Sequence, residues 1–157
     1  MHRGLPELLP RLWRFGLILS GDAATAEDLA QSTALRALER AGQFQPGTNL
    51  DRWCFSILSS IWKNEVRARR VRTGQGMVPV ENAGLPDPSP GAEMNILARQ
   101  VLSAMLALPE AHRETAYLVY VEGYRYAEAA ATLDIPIGTV MSRLATTRRL
   151  LKSGFGE

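Results

Sequence analysis

Arginine is the residue type with the clearest chemical use in this chain. Arg67, Arg69, Arg70 and Arg72 crowd the end of one helical stretch, shortly after Lys63 and Asn64. So dense a cluster repels itself without an anion nearby, and a nucleic-acid backbone offers a row of anions. A second basic set, Arg143, Arg148, Arg149 and Lys152, lies near the C-terminus on a stretch with no acidic residue. Gly138 and Thr139 open that stretch, where free backbone N–H groups are expected to meet a phosphate. The chemistry on offer is phosphate binding. Bond-breaking chemistry is not provided for. His2 and His112 stand far apart, and the single cysteine, Cys54, has no histidine or carboxylate at a recognisable spacing. Phosphate loops and metal-ligand spacings are absent too. We expect no catalytic residue, no metal and no cofactor, so the chain does not read as an enzyme. The formal net charge is only +2, and partner information therefore lies in where the charges sit.

Helices must position these residues. A length of 157 residues suits one ordinary domain or two small ones. Residues 5–19 predict a first helix with Leu8, Leu12, Phe15 and Leu19 on one face, broken at Gly21-Asp22. A second follows over 24–41, loosely capped by Thr25 with Asp28 and burying Leu29, Ala34, Leu35 and Leu38. Glu27, Asp28 and Gln31 share its polar face. The Gly, Pro and Asn content of residues 42–50 predicts a loop. A third helix over 51–70 turns Trp53, Ile57, Leu58, Ile61 and Trp62 inward and carries the first arginine set.

Residues 73–91 change character, with Pro79, Pro86, Pro88 and Pro90 and the acidic Glu81 and Asp87. That composition predicts a flexible linker with an extended reach of about 60 Å. A fourth helix over 93–106 points Ile96, Leu97, Val101, Met105 and Leu106 inward. Pro109 opens the next, which buries Ala116, Val119 and Tyr120 and stops at Gly123. A short alanine-rich helix over 126–133 is broken by Asp134-Ile135-Pro136. The last helix runs over 138–151, with Val140, Leu144 and Leu151 inward. A short helix, a tight turn and a longer basic helix make a helix-turn-helix, with Ala127, Ala129, Ala130 and Ala131 allowing close approach. The fold class is all-α, with two small helical domains, 1–72 and 93–157, joined by a Pro/Gly-rich linker over 73–92.

Lone Cys54 reads as a small buried apolar residue, which fits a reducing cytoplasm. The apolar run Phe15–Leu19 is short and follows Arg11 and Arg14, so it reads as core rather than a targeting signal. Nothing is long enough to span a membrane, and no membrane insertion is expected. Plainer readings stand beside the functional ones. Glu27, Asp28 and Gln31 fit an ordinary solvated face. Trp53 and Trp62 fit a core, and Phe44 fits a simple loop anchor.

The C-terminal stretch resembles the promoter-reading region of extracytoplasmic-function (ECF) sigma factors. The resemblance rests on Leu108-Pro109-Glu110, Arg113-Glu114, Glu122-Gly123, Tyr126, Glu128, Ala130, Ile135-Pro136, Gly138-Thr139-Val140 and Ser142-Arg143-Leu144. In the front half, Ala26-Glu27-Asp28-Leu29-Ala30-Gln31 with Leu35-Arg36-Ala37 resembles the family's main polymerase-binding helix. Phe44 to Leu50, Trp53, Ile57-Leu58, Asn64 and Arg67 to Arg70 resemble its −10-reading region. The FQPGTN run and Ala129-Ala130 resemble the alphaproteobacterial general-stress branch.

The resemblance implies an alternative sigma factor acting with core RNA polymerase and promoter DNA. Glu27, Asp28, Gln31 and Leu35 would bind core polymerase. Phe44, Asn49, Ser60, Lys63, Asn64, Arg67, Arg69 and Arg70 would melt and capture the −10 element, and binding energy alone would drive the melting. Gly138, Thr139, Met141, Ser142, Arg143, Thr146, Arg148 and Arg149 would dock on the −35 duplex. An anti-sigma factor is the further partner that the resemblance implies. Some residues depart from the pattern. Ser60 stands where the family usually has an asparagine, Met141 and Thr146 stand where basic residues are usual, and Ala145 replaces a larger group. The −35 helix therefore offers fewer direct-readout groups, and DNA shape and backbone contacts take more of the burden. A stand-alone helix-turn-helix regulator and a sigma-like decoy that titrates an anti-sigma factor are the other two readings.

Overall fold

The computed structural model describes residues 4–73 and 92–154. The chain divides into two compact units, Met1–Gly84 and Leu85–Glu157. Every regular element among the described residues is helical, as the all-α expectation requires. Of the expected linker only the end residues are described: Thr73 closes one helix and Ala92 opens another. The rest of it lies outside the described residues.

The first unit packs α1 (Leu5–Ser20), α2 (Ala23–Glu39) and α3 (Leu50–Thr73). Gly21 ends α1 in the left-handed region at φ 74°, donating its N–H to the Leu17 carbonyl. Asp22 then caps α2 by accepting from the Thr25 N–H at 2.9 Å and the Thr25 hydroxyl at 2.7 Å. These two bonds also hold the Asp22 carboxyl below its ordinary range. The cap is thus Asp22 with Thr25, not the expected Thr25 with Asp28, because the extended backbone at Asp22 already aims its carboxylate at the first turn.

Small residues let α1 and α2 touch. A Cβ built on Gly16 would lie 3.2 Å from Ala26 Cα. The buried side of α2 is accordingly Ala26, Leu29, Ala30, Thr33 and Ala37. Leu35 and Leu38, expected inside, are 59% and 40% exposed. The closest approach is at Gly16 and Ala26, and Leu35 and Leu38 lie off the buried side that runs through it. The core below is filled by Leu12, Phe15, Leu19, Cys54, Phe55 and Leu58. Phe15 and Phe55 meet edge to face at 5.1 Å. Burial pushes the Cys54 thiol up to about 11, with Asp51 adding to the effect, so Cys54 is an inert core residue.

The second unit packs α4 (Ala92–Leu106), α5 (Glu110–Ala116), α6 (Tyr126–Leu133) and α7 (Ile137–Gly154). Only the end of α4 is gripped, through buried Met105 and, just beyond it, Leu108. Ile96, Leu97 and Val101, expected inside, are 59%, 55% and 47% exposed. They lie ahead of the part of α4 that reaches the unit's core.

A π-helical turn, Tyr117–Val121, follows α5 directly. Its signature is the Glu122 N–H donating five residues back to the Tyr117 carbonyl at 3.0 Å. The extra residue in the turn changes which side chains face inward. Tyr117 and Leu118 are buried, whereas Val119 is half-buried and Tyr120, expected inside, is exposed. A constant 3.6-residue period could not foresee that rotation. Gly123 closes the turn at φ 77°, as expected.

Between α6 and α7, Asp134 adopts the left-handed region at φ 56° and ψ 50°. The Ile135 N–H reaches back to the Ala130 carbonyl at 3.0 Å, completing a Schellman-type stop. Pro136 then presets the start of α7. Ala129 and Ala130 make the close approach, while Ala127 and Ala131 are exposed and take no part in it. Val140 and Leu144 are fully buried, and Leu151 is half-buried.

Candidate polymerase and nucleic-acid interfaces

The exposed side of α2 gathers Glu27, Asp28, Gln31 and Leu35. Gln31 donates its amide to Glu27 one turn away at 3.3 Å. An acidic, hydrogen-bonding surface is thus joined to an uncovered leucine. That mixture of one apolar anchor and a polar rim is how protein interfaces are built.

The loop before α3 turns at Gly47, which sits at φ 95° with open space around it. Thr48 tightens the turn by donating its hydroxyl to the Gln45 carbonyl at 2.6 Å. Phe44 packs on Trp53 with centroids 5.2 Å apart and the rings tilted by 42°. Both the anchor reading and the pocket-wall reading of Phe44 fit that contact. Asn49 is exposed beside Arg52. With its carbonyl oxygen turned to the guanidinium, it accepts from Nη2 at 2.7 Å and Nε at 3.0 Å. Asp51 pairs with Arg11 at 3.0 Å, and Arg11 also lies 5.5 Å over the Phe55 ring, tying the start of α3 to α1.

Along α3, Ser60, Lys63, Asn64, Arg67 and Arg70 are all exposed. Helical spacing puts Ser60, Lys63, Asn64 and Arg67 on one side. Trp62, on another side, is buried. The arginine run is not uniform. Arg69 donates to Glu65 at 3.0 Å and lies 5.6 Å over the Trp62 ring. Arg72 reaches the same Glu65 oxygen at 3.6 Å. The anion that the run was expected to need is thus partly supplied from within α3. Arg67 and Arg70 make no ion pair among the described residues.

On α7, Gly138, Met141, Ser142, Ala145, Arg148, Arg149 and Lys152 are exposed. Thr146 is half-buried, and the Ser142 hydroxyl turns back to the Thr139 carbonyl at 3.2 Å. The Thr139 N–H is not free for a phosphate, contrary to expectation. It donates to the Pro136 carbonyl at 3.0 Å, because Pro136 starts the first turn. Gly138 keeps open space around it.

Arg143, expected on the exposed basic face, is half-buried instead. It pairs at 3.6 Å with Glu114 of α5, whose residue is only 4% exposed, and lies 3.4 Å from the Thr115 hydroxyl. Its first duty is to join α5 to α7. His112 feels the same charge: burial first, and Arg143 second, hold its imidazole below the ordinary range. One further contact was unforeseen. Arg148 donates to the Tyr120 hydroxyl at 3.1 Å, which ties the π-turn to α7. The signals for Glu114 and Tyr120 were present in the sequence, but nothing local pairs them with residues 28 or 29 positions away.

Two units, one with an exposed acidic helix face and a basic helix and the other with a helix-turn-helix, define a bipartite transcription factor. Comparison with known families agrees. Sigma-70 region 2 matches residues 6–72, and sigma-70 region 4 matches residues 98–151. The ECF RNA polymerase sigma factor EcfG of Rhodopseudomonas palustris is 35% identical over 147 residues, covering 92% of this chain and 79% of that protein. The ECF sigma factor SigL of Mycobacterium tuberculosis is 34% identical over 144 residues, covering 90% and 80%. Among solved structures, the sigma factor RpoE of Bartonella quintana, in complex with the anti-sigma factor NepR, is similar. It has a TM-score of 0.76 and 27% identity over 97% of this chain and 94% of that one. The chain belongs to the ECF sigma factors, alternative initiation factors that direct RNA polymerase to promoters. No helix among the described residues is long and apolar enough to cross a membrane.

Proposed function

We propose that the two units divide promoter recognition between them. The exposed face of α2, with Glu27, Asp28, Gln31 and Leu35, docks on core RNA polymerase. Phe44, Asn49 and the exposed side of α3 capture the melted −10 strand. There Lys63, Arg67 and Arg70 follow the backbone, and the loop holds an unstacked base. Unstacking costs a few kcal/mol, which capture must offset. The exposed face of α7, from Gly138 to Arg149, docks in the −35 major groove. Met141 and Ala145 give it an apolar centre suited to a thymine methyl, with phosphate contacts on its basic flank. The observation that carries this reading is the pair of exposed basic helix faces, one in each unit.

The Bartonella relative is bound by an anti-sigma factor. We extend a partner of that kind to this chain, together with a cytoplasmic location, no catalytic role and no cofactor. The FQPGTN run and Ala129-Ala130 are what support the general-stress branch.

Transcription by purified core polymerase on a genomic fragment library, with and without this chain, tests the reading. Defined new start sites are expected, weakened by Asp28→Lys and by Arg67→Glu. Start sites unmoved by either substitution would overturn the assignment of surfaces. No chain-dependent transcript and no core binding would overturn the function.

A further inference from the structure

The π-turn at Tyr117–Val121 has a consequence at the surface of α7. It buries Tyr117 and Leu118 and turns Tyr120 outward, 46% exposed. The Tyr120 hydroxyl meets Arg148 Nη1 at 3.1 Å. Arg148 is itself exposed, on the stripe that holds Met141 and Ala145. The π-turn and α7 thus meet at one cation. Such single π-turns in otherwise α-helical segments often occur at functional positions.

The hydrogen-bond chemistry has a direction. Arginine only donates, so the Tyr120 oxygen must accept from Arg148. The Tyr120 proton then points away from the guanidinium and is available to an outside acceptor. A guanidinium also has five N–H donors, and Tyr120 occupies only part of that set. What remains is a convergent set of donors, held in one orientation and facing solvent. A long arginine side chain otherwise loses rotamer freedom when it engages a ligand.

We infer that Tyr120 is a positioning residue that holds Arg148 as a preformed clamp for a backbone phosphodiester of duplex DNA. The inference rests on the duplex-binding reading of α7. A phosphate clamp suits this chain in particular. Met141 and Thr146 supply no charge, and Arg143 is committed to Glu114. The contacts that remain must therefore be well oriented. Because phosphate contacts carry no sequence information, the clamp works on any duplex.

The test uses the full chain assembled with core polymerase and a short duplex of mixed sequence, followed by anisotropy over a salt series. Tyr120→Phe keeps the ring and removes the hydroxyl. It should weaken binding about five- to tenfold, the net worth of one exposed hydrogen bond. Arg148→Met should weaken it further and lower the salt slope by about 0.9. The double variant should match Arg148→Met alone, since Tyr120 acts only through Arg148. Equal affinity of Tyr120→Phe and the unsubstituted chain overturns the clamp, as does a further loss in the double variant. If the unsubstituted assembly shows no salt-dependent duplex binding at all, the duplex-binding reading fails and the clamp fails with it. Thermal unfolding of Tyr120→Phe is the control: a merely structural hydroxyl would lower the melting temperature in proportion to the lost affinity.

Discussion

Helices α3 and α7 are both basic, but they balance their charge in different ways. On α3 the counter-charge is local. Glu65 takes Arg69 one turn away and Arg72 two turns away, with all three side chains well exposed. On α7 the partners come from other elements. Glu114 of α5 meets Arg143 in a largely buried pair, and Tyr120 of the π-turn meets Arg148. Local balance tunes how much charge a surface presents and costs the fold little. Tertiary balance ties elements together, so losing it costs stability. The two helices should therefore answer to the same kind of substitution with different readouts.

The largest effect expected is on stability, from Glu114→Ala. It leaves Arg143 half-buried without its anion and should destabilise the second unit by about 3 kcal/mol. The same change on α3, Glu65→Ala, removes only exposed pairs and should cost less than about 1 kcal/mol. The chain offers a convenient readout. Its four tyrosines all lie within 117–126 and its three tryptophans within 13–62, so tyrosine and tryptophan signals report separate units in denaturant unfolding. Equal losses for the two glutamates would erase the distinction.

Next comes binding of a single strand. Arg67→Ala with Arg70→Ala should lower the salt slope by about 1.4, at roughly 0.7 per contact on single strands. Arg69→Ala with Arg72→Ala should lower it by less, because Glu65 already holds that pair. A smaller effect of opposite sign is expected from Glu65→Gln. It should release Arg69 and Arg72 and raise single-strand affinity about two- to fivefold at low salt, a gain that vanishes at high salt. An unchanged affinity would mean that the Glu65 pairs exert no restraint.

The smallest effect concerns pH. The His112 imidazole is held below its ordinary value of 6.5 in the folded unit, by burial first and by Arg143 second. A lowered histidine favours the folded state while it is neutral. Its contribution is therefore complete above about pH 6.5 and is lost as pH falls through the folded value. The tyrosine-reported stability should decline as pH falls below about 6.5. His112→Gln should flatten that decline, whereas an unchanged profile would place its cause elsewhere.

Much of this was legible in the chain itself, and the misses share a cause. Helix limits followed from Gly21, Gly123 and Asp134-Ile135-Pro136, whose backbone preferences act without neighbours. The outward placement of Ser60, Asn64, Arg67, Met141 and Ser142 followed from periodicity. Leu35 and Leu38 were placed inside because leucine usually is. The buried side of α2 instead runs through Ala26, Leu29, Ala30, Thr33 and Ala37, where Gly16 and Ala26 approach. Ile96, Leu97 and Val101 were assigned a core that only the end of α4 reaches. Tyr120 was misplaced because a π-turn resets the phase of a helix, and no local residue announces one. Thr139 lost its free N–H because a single proline carbonyl accepted it.

The sequence by itself determined the family, the order of the helices, the helix-turn-helix and the two basic stretches. Those depend on residue type and on spacings of a few positions, where backbone propensity and periodicity dominate. On α7 the tertiary structure alone decided which cations are available. Glu114 removes Arg143 from the open surface, and Tyr120 meets Arg148. Charge availability depends on what lies within a few ångströms in space, and partners 28 and 29 residues apart become neighbours only when α5 packs on α7.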